Sequence, residues 1–72
     1  MNNETIQYII SRLVDRALDV SMDVEENPED GFQRGRKLAY YEGLDIIKSE
    51  LYVKGEDLTK YGLDINLEKL FL

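Results

Sequence analysis

Ile6, Ile10, Leu13, Ala17, Val20 and Val24 follow one another at intervals of 4, 3, 4, 3 and 4 residues. That alternation places six apolar side chains on one line of an α-helix, a heptad-like seam over nearly three repeats. Val14, Leu18 and Met22 add a second stripe, four apart, on the flank of the seam. The apolar arc then covers more than half of the helix. Tyr8, Arg12, Asp15, Arg16, Asp19, Asp23 and Glu26 take the rest. An arc this wide is more than one neighbouring helix can cover.

The run breaks at Glu26-Asn27-Pro28-Glu29-Asp30. Asn27 suits an N-cap, Pro28 the first helical position, and Glu29 and Asp30 the positive end of the helix dipole. These signals predict helix 1 over about 4–26 and helix 2 over about 28–54, with Gly55 as the stop. Two helices of nearly equal length, each about 36 Å at 1.5 Å per residue, joined by a very short link, make an antiparallel hairpin.

On helix 2, Tyr40, Leu44, Ile47 and Leu51 form the bulky seam that faces helix 1. Gly35, Ala39 and Gly43 lie on a neighbouring arc with Phe32, Ile46 and Val53. A helical glycine costs about 1 kcal/mol against alanine. Small residues at four-residue spacing recover that cost where another backbone packs close, the steric logic of small-residue helix contacts. Val14, Leu18, Met22, Phe32, Gly35, Ala39, Gly43 and Ile46 are therefore the candidate packing surface. A hairpin with two apolar faces per helix calls for a partner, and a second copy is the simplest, giving a dimeric four-helix bundle.

The tail, residues 56–72, is apolar and patterned. Asp57 caps a single turn, Leu58 to Tyr61, ended by Gly62. Beyond it, Leu63, Ile65 and Leu67 alternate with polar residues as a strand would, or Asn66 caps a last turn holding Leu67, Leu70 and Phe71. Such a tail folds back over the hairpin, or serves as a docking segment for another protein. The fold class expected is all-α: one helical domain over 1–72, a long hairpin with a short C-terminal turn and tail.

Composition narrows the function. The 72 residues contain no Cys and no His. Disulfides, zinc sites and serine–histidine or cysteine–histidine catalysis within one chain are excluded. A chain this short rarely gains more than ~3–5 kcal/mol from its core, so a partner subunit is the natural supplement. No apolar run approaches the roughly 18 residues of a membrane helix, and no basic segment precedes an apolar block at the N-terminus. The expected location is the cytoplasm, with no membrane contact. The net charge is −6, with eight acids and two bases in residues 1–30 and seven of each in 31–72. No basic face is available for direct nucleic-acid binding.

The chemistry-bearing candidates are carboxylates. Asp23 and Glu26 are three apart on helix 1, and Glu42 and Asp45 three apart on helix 2. These four residues resemble the ExxE…ExxD pattern of the all-helical MazG-like nucleotide pyrophosphohydrolases, with Asp at the first position in place of Glu. The resemblance implies magnesium binding and nucleotide hydrolysis as an alternative function. A turn near Asn27–Pro28 sets Asp23 about nine residues, or ~13 Å, along the axis from Glu42. A single cluster would then need a second subunit. Asp15, Asp19, Asp23, Glu25 and Glu26 form an acidic run next to Arg34, Arg36 and Lys37 across the hairpin end. It reads as a salt-bridged end, as an acidic surface for a basic partner, or as an inhibitor of a nucleic-acid-binding protein. Tyr41 and Tyr52 share the polar face of helix 2 with Arg34, Lys37, Lys48 and Leu38, a composition found at protein interfaces and equally among amphipathic residues that lie over a helix edge. The candidate partner surface is thus Tyr41, Tyr52, Arg34, Lys37, Lys48, Asp15, Asp19 and Asp23. The leading function is a small acidic interaction or regulatory module, a homodimer with no cofactor and no catalytic residues.

Overall fold

The computed structural model describes residues 2–72, and among them it contains helices and turns but no strand. Helix α1 spans Asn3–Glu26, helix α2 spans Gly31–Val53, a 3-10 turn spans Leu58–Tyr61, and a short helix α3 spans Leu67–Phe71. The molecule measures 39 × 20 × 15 Å. Its long dimension matches the ~36 Å of a 24-residue helix, as a side-by-side hairpin requires.

Each helix starts on a side chain that satisfies an orphan amide. Asn2 caps α1, its Oδ1 accepting from the Thr5 amide at 2.8 Å. The start of α2 differs from the expected one. Asn27 is not its N-cap but the end of α1, with its amide donating to the Asp23 carbonyl at 3.0 Å. The Asn27 carbonyl then accepts from the Asp30 amide at 3.1 Å, closing a β-turn with Pro28 in its second position. Proline's fixed φ suits that position as well as the first turn of a helix. Asp30 caps α2 instead, its Oδ1 accepting from the Gln33 amide at 3.2 Å. Asn27 and Asp30 are both competent caps. The turn that reverses the chain consumes the first and leaves the second.

Two glycines steer the tail. Gly55 has φ +76°. Its amide donates to the Tyr52 carbonyl at 3.0 Å and the Glu56 amide to Leu51 at 2.9 Å, the paired bonds of a Schellman stop. Gly62 repeats the device after the 3-10 turn, with φ +70°. There the Gly62 amide bonds Thr59 at 3.3 Å and the Leu63 amide bonds Leu58 at 3.0 Å. Left-handed backbone at both points is cheap only for glycine. Asp57 caps the 3-10 turn by accepting from the Thr59 hydroxyl at 2.6 Å and amide at 3.0 Å. The hydroxyl bond comes first among the causes that hold its carboxyl below the ordinary carboxylate range. Asn66 caps α3 through the Lys69 amide at 3.0 Å. Of the two readings of this segment, the capped turn is the one realised.

The core joins the hairpin seam to the tail. Ile10, Ala17 and Leu44 are buried with Tyr61, Leu63, Leu67 and Phe71. Ile6, Leu13, Val14, Tyr40, Ile47 and Leu51 pack around them, half-buried. The seams expected on both helices therefore do face each other, and the tail folds back to close over one side of them. Ser21, buried on α1, donates its hydroxyl to the Leu70 carbonyl at 3.4 Å.

Candidate functional site

The hairpin has two flanks, and the tail covers one. On α2, the covered flank carries Tyr41, whose hydroxyl donates to Glu68 Oε1 at 3.4 Å, and Lys48, whose Nζ donates to the Ile65 carbonyl. On α1, the same flank carries Val14, which packs against the core beside Tyr61, and Ser21. Tyr41 has its phenol pKa raised above the ordinary value by desolvation first, then by the negative charges of Glu68 and Asp45.

The other flank is open. Along α2 it presents Phe32, Ala39 and Ile46, spaced seven residues apart, and the same step reaches Val53 at the helix end, which also borders the tail-side concavity with Leu67 and Glu68; Phe32, Ile46 and Val53 are 75%, 64% and 74% exposed. Gly35 and Gly43 share this side. A Cβ built on either one would meet nothing within 4 Å. The close backbone approach that these small residues permit is therefore not made within the chain. Between this stripe and α1 runs an open apolar groove of about 300 Å³, lined by Leu13, Arg36, Ala39, Tyr40, Gly43, Leu44 and Ile47. Arg36 is its one charged wall residue, and its Nη1 donates to Gln33 Oε1 at 3.0 Å.

The candidate packing residues thus separate into two sets. Phe32, Gly35, Ala39, Gly43 and Ile46 lie together on the open flank. Val14, Leu18 and Met22 do not join them. Val14 is turned to the tail, and four-residue steps carry Leu18 and Met22 round past that edge into solvent, where Met22 is 59% exposed. Each stripe flanks its own seam, but the two lie on opposite sides of the hairpin. The α1 residue that borders the open groove is Leu13.

The candidate partner surface also divides. Tyr41 and Lys48 are engaged by the chain's own tail. Tyr52 and Arg34 remain exposed, and Lys37 is half-buried. Asp15, Asp19 and Asp23 are exposed along α1. Arg36 bonds Gln33 of its own helix and not an acid of α1. On the outer face of α1, Arg12 Nη1 donates to the Tyr8 hydroxyl at 3.3 Å. That hydrogen bond is the first cause of a guanidinium pKa held above its ordinary value. Among the described residues no three acidic side chains converge as a cation site requires, so Asp23 and Glu26 are not joined to Glu42 and Asp45. Nor is any helix there long and apolar enough to cross a membrane.

The sequence marked Leu13, Tyr40, Leu44 and Ile47 as seam and Ala39 and Gly43 as packing surface, but not the groove they form together, nor Arg36 as its wall. The seven-residue recurrence of Phe32, Ala39, Ile46 and Val53 was the available signal. No family model, characterised protein or solved structure shows significant similarity to this chain.

Proposed function

We propose that this protein is a small acidic interaction or regulatory module of the cytoplasm, without catalytic chemistry of its own. It works through the open flank of α2, and its first partner is a second copy of itself, giving a dimeric four-helix bundle. One observation carries this reading: three large apolar side chains at heptad-related positions stand in solvent beside an apolar groove, on a helix whose opposite flank is met by the chain's own tail. Burial of apolar area at about 25 cal/mol per Å² is the largest free energy such a face can gain. Helix-in-groove docking is the binding mode that matches its spacing.

Sedimentation equilibrium at micromolar concentration tests the reading. The expected mass is about twice the 8.4 kDa of the chain. Ile46→Glu places a charge at the centre of the exposed stripe. It is expected to return the protein to monomer with its helicity intact. Association that survives Ile46→Glu unchanged would place the contact elsewhere and remove this reading.

A further inference from the structure

Resting on that dimer, we infer that the second copy docks antiparallel, α2 against α2, with the twofold axis beside Gly43 and with Arg36 of each chain meeting Glu50 of the other.

The open seam of α2 is longer than its apolar residues alone. Phe32, Arg36, Ala39, Gly43, Ile46, Glu50 and Val53 follow at intervals of 4, 3, 4, 3, 4 and 3. That is an uninterrupted heptad line from the first turn of α2 to its last residue. Two of its seven positions are charged, and they are opposite in sign. Arg36 stands seven residues before Gly43 and Glu50 seven residues after it.

Orientation follows from that placement. A parallel pair sets Arg36 on Arg36 and Glu50 on Glu50 within a seam that excludes water. An antiparallel pair about Gly43 sets Arg36 on Glu50 twice, once on each side of the axis. The rest of the helix agrees. Its first half carries Arg34, Arg36 and Lys37 and no acid, while its second half carries Glu42, Asp45 and Glu50 with Lys48. Like charges in register are how helical interfaces reject a wrong arrangement. A twofold contact is also self-complementary, so one helix face serves both subunits.

Side-chain size fits the same axis. Gly43 and Ala39 sit near the midpoint of the seam, and nothing stands within 4 Å of a Cβ built on Gly43. Two helices that cross there come closest where their side chains are smallest. Phe32 and Val53 lie at the ends, opposite one another in the antiparallel register, where crossing helices have diverged. Arg36 is held at the groove wall by Gln33 and is half-buried before any partner arrives.

Two experiments on the full chain decide it. In the first, Arg36→Glu and Glu50→Arg are each expected to weaken the dimer about tenfold by sedimentation, as two attractive contacts become repulsive. The double variant is expected to return to within about threefold of the parent, because the pairs are restored in reverse. In a parallel dimer the single changes exchange one repulsion for another and have no such effect. The second uses the absence of native cysteine. Phe32→Cys and Val53→Cys, both exposed, are mixed and oxidised. A mixed 32–53 disulfide with no 32–32 product is expected. A 32–32 disulfide overturns the antiparallel register but leaves the dimer. A dimer that gives neither product uses another face. A monomer at every concentration removes both the register and the dimer.

Discussion

The two flanks of the hairpin meet different fates. One receives the tail. Leu63, Leu67 and Phe71 are buried against it, and Tyr41, Lys48 and Ser21 hydrogen-bond the returning backbone or its side chains. The other keeps Phe32 and Ile46 in solvent, with two glycines on which a built Cβ would meet nothing within 4 Å. The lesson is that an apolar stripe on a helix specifies a contact without specifying its source. The tail supplies one contact from within the chain because Gly55 and Gly62 turn it back. The tail covers one flank and not the other, where Phe32 and Ile46 stay in solvent.

The sharpest way to break this contrast is to truncate one residue on each flank. Leu63 is fully buried between tail and hairpin. Leu63→Ala is expected to cost about 2–5 kcal/mol, enough to unfold much of a domain this small. Phe32→Ser, at an exposed site, is expected to change the stability of the monomer by no more than about 0.5 kcal/mol. Urea titrations in dilute solution, below the association range, give both numbers. Equal losses at the two sites would mean that the flanks are not distinct.

Gly43 sharpens the comparison, since its two substitutions separate a bare flank from a covered one. In the monomer, Gly43→Ala gains helix propensity of about 1 kcal/mol and meets no neighbour. In a tight dimer, Gly43→Leu overpacks the axis and is expected to cost about 1–3 kcal/mol of association. The expected pair of results is a raised melting temperature for Gly43→Ala at low concentration and a lost dimer for Gly43→Leu. A Gly43→Leu protein that dimerises like the parent would show that the small stripe makes no close contact.

A smaller effect is expected on the covered flank at high pH. Folding raises the Tyr41 pKa, so the folded state holds the phenol proton more tightly than the unfolded chain does. The contribution is neutral below the unfolded value near 10. Above it the unfolded state gives up its proton first, and stability declines as pH climbs through that value towards the folded pKa. Melting curves from pH 8 to 11 are expected to fall, and Tyr41→Phe is expected to flatten that fall. An unchanged slope in Tyr41→Phe would assign the loss to other groups.

The smallest expected effect is none at all. If Asp23, Glu26, Glu42 and Asp45 held magnesium, the ion would stabilise the native state by about 2.7 kcal/mol at a hundred times its dissociation constant. We expect superimposable melting curves with and without magnesium, for the parent and for Glu42→Gln with Asp45→Asn. A magnesium response confined to the parent would favour the hydrolase reading over the interaction module.

Much of the architecture was legible because it is written in local signals. The 4-3 spacing of Ile6 through Val24 and of Tyr40 through Leu51 marks two helices and the faces that meet, and the buried Ile10, Ala17 and Leu44 lie on those lines. Asp57, Gly62 and Asn66 mark the tail's turns, since a cap or a left-handed residue acts within four positions of itself. The start of α2 was less legible. Asn27 and Asp30 carry equal capping ability, and only the direction of the chain reversal chooses between them.

The candidate surface was half legible, for a reason that also divides the two kinds of information. Periodicity assigns each residue an angle around its own helix, and by itself it determined the seams, the small stripe and the hairpin. It carries no reference between one helix and the next beyond the seam they share. Which of the two flanks the tail covers, that of Val14 or that of Phe32, is written in neither helix. Likewise Tyr41 and Lys48 read as free surface until Glu68 and the Ile65 carbonyl arrive from 27 and 17 residues away. Those choices were settled by the tertiary structure alone, because packing the apolar tail against one flank is a nonlocal gain in buried area that no local pattern encodes.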